Sequence, residues 1–113
     1  MDKAVANYMA AISPEHRCLF DRIHRLILEA CPGAVVVLSY KMPTFKVGKH
    51  RLHLAAWEHG ISVYGWKARG DAGFTARHPE LQTSTGTIRL RAEDAALISD
   101  DEVRDSARSV LVL

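Results

Sequence analysis

Apolar residues recur with a helical period along the first third of the chain. Val5, Met9 and Ile12 fall on one face, which predicts a short amphipathic helix over residues 3–12. A longer apolar face predicts a second helix that begins at Pro14, because proline suits the first position of a helix. Two helices therefore open the predicted fold.

From Ala34 onward the period changes to two and β-branched residues become common, which is typical of strands. The predicted strands are Ala34–Tyr40, Pro43–Val47, Arg51–Trp57, Ile61–Trp66 and Thr87–Arg91. Their short connections favour antiparallel pairing of neighbours. If Ile61 faces the helices, strand alternation places Tyr64 and Trp66 on the outward side.

The segment from Lys67 to Gly86 is the least regular part of the sequence, and it predicts only a turn or two of helix. Ser99 and Glu102 form an S-x-x-E capping box, which predicts a final helix. The fold class is therefore α+β, with two N-terminal helices and a C-terminal helix packed on a mainly antiparallel sheet of about five strands. Residues 1–113 are expected to form a single domain.

Composition excludes several classes of protein. A chain of 113 residues with 48% hydrophobic residues is too apolar for disorder and predicts one core with a radius of gyration of ~13 Å. No apolar run approaches the ~20 residues that span a bilayer, and the N-terminus lacks the charge order of a signal peptide. Cys18 and Cys31 lack metal or redox spacing. We therefore expect a cytoplasmic protein with no membrane association.

The net charge of +2 conceals an uneven distribution. Residues 92–113 hold six acidic and two basic residues, so this segment carries −4 and the remainder +6. Within the remainder, Lys41, Lys46, Lys49 and Arg51 have no acid between them. We interpret them as solvated hairpin and edge residues that discourage sheet-to-sheet pairing, so nucleic-acid binding is not expected.

Motifs of catalysis are not recognisable in the sequence. Ser39 and Ser84 lack a G-x-S-x-G elbow, and no phosphate-binding or dinucleotide fingerprint occurs. His50 and His53 form an H-x-x-H pattern, but residues three apart on a strand face opposite sides of the sheet and cannot share one metal ion. A non-enzymatic protein is therefore expected.

Two groups of residues remain as candidates for binding. Carboxylates near the last helix would either stabilise its positive end or hold a hard cation weakly. These candidate metal ligands are Glu93, Asp94, Asp101, Glu102 and Asp105. Aromatic residues concentrated in the strands could instead form a concave binding face. These candidate ligand-binding residues are Tyr40, Pro43, Phe45, Trp57, Tyr64 and Arg89.

Three motifs give the chain a resemblance to a known family. They are S-Y-K-M-P-T-F at residues 39–45, H-G-I-S-V-Y at residues 59–64 and T-S-T-G-T-I-R at residues 83–89. With them, almost the whole chain resembles the YdhG-like family, a domain of unknown function whose members are in part described as frataxin-like iron chaperones. That family usually has glycine at the position of Lys41 and lysine at the position of Thr85.

The resemblance implies a small cytoplasmic α+β protein that binds iron weakly, through the carboxylates named above, and passes it to iron–sulfur or haem assembly proteins. The alternative is a small-ligand or peptide-binding module that uses the aromatic face of the sheet. The sequence leaves the oligomeric state and the physiological ligand open.

Overall fold

The structure, a computed structural model, describes residues 2–66, 70–84 and 86–112. Its helices and strands are α1 (Lys3–Ala10), α2 (Pro14–Ala30), β1 (Val35–Ser39), β2 (Met42–Val47), β3 (His50–Trp57), β4 (Gly60–Tyr64), α3 (Phe74–Arg77), β5 (Gln82–Ser84), β6 (Thr87–Leu90) and α4 (Asp100–Leu111). Two 3₁₀ helices, Pro79–Leu81 and Ala92–Leu97, precede β5 and α4. Within these ranges, no helix has the length and apolar character needed to cross a membrane.

The strands form one antiparallel sheet in the order β1-β2-β3-β4-β6-β5. β1 and β5 are its edges, so β2 and β3 are interior strands. Both β3 and β6 pair antiparallel with β4 and therefore run in the same direction. This arrangement fixes which side chains of β3, β4 and β6 lie beside one another.

The three longer helices pack on one face of this sheet. Their apolar residues join the helix-facing side chains of the strands in a single buried cluster, which includes Phe45, Leu52, Leu54 and Ile88. Because successive strand residues point to opposite faces, the strand residues directly before and after each of these four face away from the helices. The sheet is therefore covered on one side.

Arg22 fixes the position of α2 relative to the segment that leads into α4. Its guanidinium donates hydrogen bonds to Asp100 Oδ1 (2.8 Å) and to the carbonyl oxygens of Ala95 (2.9 Å) and Ile98 (2.8 Å). The planar guanidinium of an arginine, with its five N–H donors, can bond to several acceptors at once more readily than the ammonium of a lysine. The helical layer is thus held together by polar contacts as well as by the core.

Several sequence predictions are confirmed. The fold is α+β with an antiparallel sheet, and the capping box exists, since Ser99 N donates to Glu102 Oε2 (2.7 Å) and Glu102 N donates to Ser99 Oγ (3.1 Å). The sheet also has a three-residue strand, Gln82–Ser84, within the segment of least regular sequence. Parts of that segment, residues 67–69 and Thr85, lie outside the described residues.

The prediction that Trp66 looks outward is wrong. Gly65 has a φ of 87°, a left-handed conformation that ends the strand alternation and turns the next side chain into the core. Trp66 is 8% exposed, stacks edge-on against Phe74 and donates from Nε1 to Asp71 Oδ2 (2.7 Å). A single glycine therefore moves this tryptophan from one side of the sheet to the other.

The turn between β1 and β2 contains an unfavourable residue. Tyr40 and Lys41 connect the paired residues Ser39 and Met42, and both have positive φ angles, 52° and 62°. Two-residue turns of this kind favour glycine at the second position, because a Cβ is strained in the left-handed region. Lys41 thus occupies a place where glycine would be preferred.

Replacing Lys41 by glycine is predicted to stabilise the protein. Relief of the left-handed strain should raise the free energy of unfolding by about 0.5–1 kcal/mol, after the greater flexibility of glycine in the unfolded chain is counted. Urea denaturation of wild type and Lys41→Gly measures the difference. Lys41→Ala is the control, because it removes the charge and keeps the Cβ. Equal gains from both variants would show that charge, not backbone strain, is responsible.

A buried histidine in the core makes stability depend on pH. His24 on α2 is 6% exposed and lies between the rings of Phe20 and Phe45, with centroids 6.4 and 5.4 Å away. Its Nε2 atom is buried and has no hydrogen-bond partner among the described residues. Burial lowers the pKa of His24 below its ordinary value of 6.5, and the nearby Asp21 offsets only part of this shift.

Stability is therefore predicted to fall as the pH drops below 6.5, because the unfolded chain then binds a proton that folded His24 resists. The variant His24→Leu should lose this contribution, so the gap in unfolding free energy between the two proteins should change from pH 7.5 to about pH 5. Denaturation at several pH values measures it. His59→Gln removes an exposed imidazole and serves as the control. A constant gap between wild type and His24→Leu would contradict the assignment.

Candidate functional site: the open face of the sheet

The face of the sheet opposite the helices carries the candidate site, and we call it the open face. Strand pairing places Thr44 beside His53, His53 beside Tyr64 and Tyr64 beside Thr87. A second row places Ala55 beside Ser62 and Ser62 beside Arg89. The open face comprises Thr44 and Lys46 of β2, Arg51, His53, Ala55 and Trp57 of β3, Ser62 and Tyr64 of β4, and Thr87 and Arg89 of β6, with Arg91 directly after β6.

Small residues form the floor of this surface. Thr44, Ala55 and Ser62 are respectively 0%, 8% and 1% exposed, although they lie on the face opposite the helices. Trp57 and Tyr64 are half-buried, whereas Arg89 is exposed. The open face is therefore a shallow depression with small residues at its centre and aromatic and basic side chains around it.

Two buried polar atoms in this depression have no partner among the described residues. They are the hydroxyl oxygen of Ser62 and the indole Nε1 of Trp57. The two residues are diagonal neighbours on paired strands, since Ser62 pairs with Ala55 and Trp57 pairs with Gly60. An unpaired buried polar atom costs about 1–3 kcal/mol, so these two groups lower the stability of the free protein.

Two arginines lie over the ring of Trp57. The guanidinium carbon of Arg89 is 4.8 Å from the ring centroid, and that of Arg91 is 5.8 Å away. Both distances are in the range of cation–π attraction. These three side chains line a cavity of about 330 Å³ together with Glu80, Leu81 and Asp94. The site thus has an aromatic wall, two cations and two carboxylates at its rim.

The arginines of the helices differ from those of the open face. Each helical arginine has a carboxylate within ion-pair distance; they are Arg17, Arg22, Arg25, Arg77, Arg104 and Arg108. No such pair occurs for Arg51, Arg89 or Arg91 within the described ranges. Arg51 donates instead to the carbonyl oxygens of Gly48 (2.7 Å) and His50 (2.9 Å). The described arginines without an ion pair therefore lie on the open face or directly after it.

His53 occupies the middle of the open face. A hydrogen bond of 2.7 Å joins its Nδ1 to Thr44 Oγ1, and the ring of Tyr40 packs edge-on against it with centroids 5.8 Å apart. Burial lowers the pKa of His53, and the charge of Arg51 lowers it further. His53 is therefore neutral at pH 7 and contributes a planar, uncharged surface rather than another cation.

The predicted ligand-binding residues separate into two groups. Trp57, Tyr64 and Arg89 lie on the open face, and Tyr40, 82% exposed, stands at its margin against His53. Placing Phe45 on this surface was wrong, because Phe45 is 0% exposed in the core on the helix-facing side. Pro43 has the same strand parity as Phe45 and is also buried, so it does not belong to the surface either.

The predicted metal ligands are occupied by local partners. Glu102 accepts a hydrogen bond from His78 Nε2 (2.7 Å) and pairs with Arg77, while Asp101 pairs with Arg104 (2.6 Å) and Asp105 with Arg108 (3.4 Å). Burial raises the pKa of Glu102, but hydrogen bonds from Ser99 and His78 outweigh it and leave that pKa below its ordinary value. These carboxylates stabilise the helical layer.

The two earlier acids lie apart from that group. Glu93 and Asp94 belong to the 3₁₀ helix Ala92–Leu97, where Asp94 Oδ2 accepts from Arg91 N (2.8 Å). Among the described residues, no three His, Cys, Asp or Glu side chains converge in a way that could hold a metal ion. The iron site stays a prediction that no ligand cluster in these ranges supports.

Sequence reasoning did not identify three residues of the site. Ser62 lies in a run of apolar strand residues, and only its parity relative to Ile61 and Val63 indicates that it faces outward. Arg91 follows the last predicted strand and has the same parity as Arg89. The alternation of strand residues therefore indicated the face on which Ser62 and Arg91 lie. The position of Leu81 beside Trp57 depends instead on a segment without regular periodicity.

Replacing Ser62 by alanine is predicted to raise the stability of the free protein by about 0.5–1 kcal/mol, because the variant no longer buries an unpaired hydroxyl. Thermal or urea unfolding measures the change. Ser106→Ala is the matched control, since the Ser106 hydroxyl is equally buried but donates to the carbonyl of Asp71 (2.8 Å) and its loss should destabilise. Destabilisation of similar size in both variants would show that the Ser62 hydroxyl has a structural partner.

Comparisons with known proteins do not extend these observations. No family model, curated protein or solved structure matches the chain. The function must therefore be inferred from the open face itself.

Proposed function

We propose that this protein is a binding module whose open face holds an anionic ligand that also carries a planar group. The observation that carries the proposal is the pair of arginines over Trp57, neither of which has a carboxylate within ion-pair distance in the described part of the chain. Unpaired arginines beside an aromatic ring suit a phosphate or carboxylate next to a flat ring system.

The neighbouring groups supply directional contacts. The indole N–H of Trp57 and the hydroxyl of Ser62 are buried and unpaired among the described residues, so a ligand oxygen would bond to them only after the side chains that cover them move aside. Leu81, 4% exposed, gives the same cavity an apolar base. A volume of about 330 Å³ is at the lower end of small-molecule pockets, so the ligand would be small or would extend beyond the pocket over the open face.

We also propose that the chain belongs to the YdhG-like family and acts in the cytoplasm without catalysing a reaction. Support comes from the S-Y-K-M-P-T-F motif, which spans the β1–β2 turn and places Tyr40 at the margin of the open face. The strand motif H-G-I-S-V-Y supplies Ser62 and Tyr64 on that face. The third motif, T-S-T-G-T-I-R, supplies Thr87 and Arg89, so all three motifs contribute residues to the surface proposed to bind. Transfer of iron to iron–sulfur or haem assembly proteins stays a prediction.

Binding is predicted to change the fluorescence of Trp57. Adenosine monophosphate is a suitable probe, because it joins a phosphate to a planar base, and it should change the emission in a saturable manner. Arg89→Gln should weaken binding at least about tenfold, since a charge-assisted hydrogen bond contributes about 1.5–3 kcal/mol. Trp66 is buried against Asp71 and supplies a constant background.

Two comparisons make the titration decisive. Arg108→Gln removes an equal charge from the last helix, where Arg108 pairs with Asp105, and should bind the probe like wild type. Trp57→Phe should abolish the spectral change and retain the folded near-ultraviolet signal of Trp66. If Arg89→Gln and Arg108→Gln weaken binding equally, or if wild type gives no saturable change, the proposed site is wrong.

A further inference from the structure

The cations of the open face are located at both of its ends. Lys46 and Arg51 are directly paired across β2 and β3, whereas Arg89 and Arg91 lie beside Trp57 at the far end of β3. From Arg51 to Trp57 the strand advances six residues, or about 20 Å. A small anion at Trp57 cannot reach the other pair, so the second group of cations has no role in the pocket.

The pairing of Lys46 with Arg51 is unfavourable for the protein alone. Like charges directly opposite on neighbouring strands destabilise a sheet. Protection of a sheet edge does not account for them, because β2 and β3 are interior strands. The actual edge strand β1, Val-Val-Val-Leu-Ser, contains no lysine at all. An external polyanion would offset the repulsion between Lys46 and Arg51.

Flat side chains occupy the space between the two groups of cations. His53 and Tyr64 are direct cross-strand neighbours, Tyr40 packs against His53, and Trp57 lies at the arginine end. These four residues place aromatic rings between the two groups of cations, and burial of His53 favours its uncharged form because it lowers the pKa. Alternation of cations and stacking surfaces over about 20 Å is the pattern of single-strand nucleic-acid sites of ~4 nucleotides or more.

We propose that the open face binds single-stranded nucleic acid, with phosphates at Lys46 and Arg51 at one end, phosphates at Arg89 and Arg91 at the other, and bases stacked on Tyr64 and Trp57. This inference rests on the proposed function and extends it, because the pocket at Trp57 would hold one nucleotide of a longer strand. The opposite, helical side pairs its arginines with acids and offers no comparable surface within the described residues.

Fluorescence anisotropy with a labelled oligothymidylate of roughly eight nucleotides tests the proposal, with the matching oligouridylate as a second probe. The wild type should bind, and the affinity should fall steeply between about 50 and 200 mM salt. The double variant Lys46→Gln/Arg51→Gln should bind at least fivefold more weakly, with a reduced slope of affinity against salt. Its control, Arg25→Gln/Arg108→Gln, removes two charges from exposed ion pairs of the helices and should bind like wild type.

A stacking variant separates nucleic acid from other polyanions. Tyr64→Leu should weaken oligonucleotide binding at least fivefold, because stacking on an aromatic side chain contributes about 1–3 kcal/mol per base. Polyphosphate and polyglutamate should compete poorly. If Tyr64→Leu binds like wild type and polyphosphate competes as well as the unlabelled strand, the surface is a general polyanion site and the proposal is overturned.

The outcomes also distinguish this inference from the proposed function. If adenosine monophosphate binds at Trp57 but the Lys46→Gln/Arg51→Gln variant and its control bind the oligonucleotide equally, the extended site is wrong and the pocket stands. If the oligonucleotide binds through both ends while the monophosphate does not, the open face stands and the pocket by itself is not a ligand site. Absence of oligonucleotide binding at about 50 mM salt overturns the inference.

Discussion

The covering of the sheet on one side only is the constraint on which the rest of the structure depends. Three longer helices supply enough apolar surface to bury the helix-facing residues of the strands, from Phe45 to Ile88. Strand alternation then requires the intervening residues to form a second surface that no helix face covers. Core packing therefore does not determine which residues occupy that second surface. It holds small residues together with aromatic and basic side chains.

The helical layer shows where the acidic residues act. Asp21, Glu29, Asp100 and Glu102 each accept from an arginine of the same layer, so the acids and arginines of the helices pair with one another. The small net charge of +2 therefore includes a basic sheet face whose arginines have no ion-pair partner among the described residues. The helical arginines thus have carboxylate partners within the molecule, whereas Arg89 and Arg91 have none within ion-pair distance among the described residues.

Periodicity and caps predicted most of the fold. The helix that begins at Pro14, the interior strands and the Ser99 box follow from local chemistry, and the structure contains all of them. Trp66 could not be placed in this way, because its direction depends on the left-handed conformation of Gly65. The three-residue strand β5 escaped prediction because its sequence has no period, and it depends on pairing with β6.

The candidate site was predictable in part for the same reason. Parity located Trp57, Tyr64 and Arg89 correctly relative to each other, but the cluster of aromatic residues was treated as one surface although Phe45 belongs to the other face. The carboxylates of the last helix were likewise grouped by their spacing in the sequence. That spacing does not show the arginines that distant segments bring to them, such as Arg77 at Glu102. The position of Lys46 and Arg51 inside the sheet, rather than at an edge, required the strand order.

Nuclear magnetic resonance of the two indole N–H groups tests the central claim most directly. Trp57 Nε1 has no hydrogen-bond partner among the described residues, whereas Trp66 Nε1 donates to Asp71 (2.7 Å), so the two signals report on the open face and on the core respectively. On addition of adenosine monophosphate, the Trp57 signal should shift in a saturable manner while the Trp66 signal stays unchanged. A Trp57 signal that does not move at saturating probe, or that moves only together with Trp66, would contradict binding at the open face.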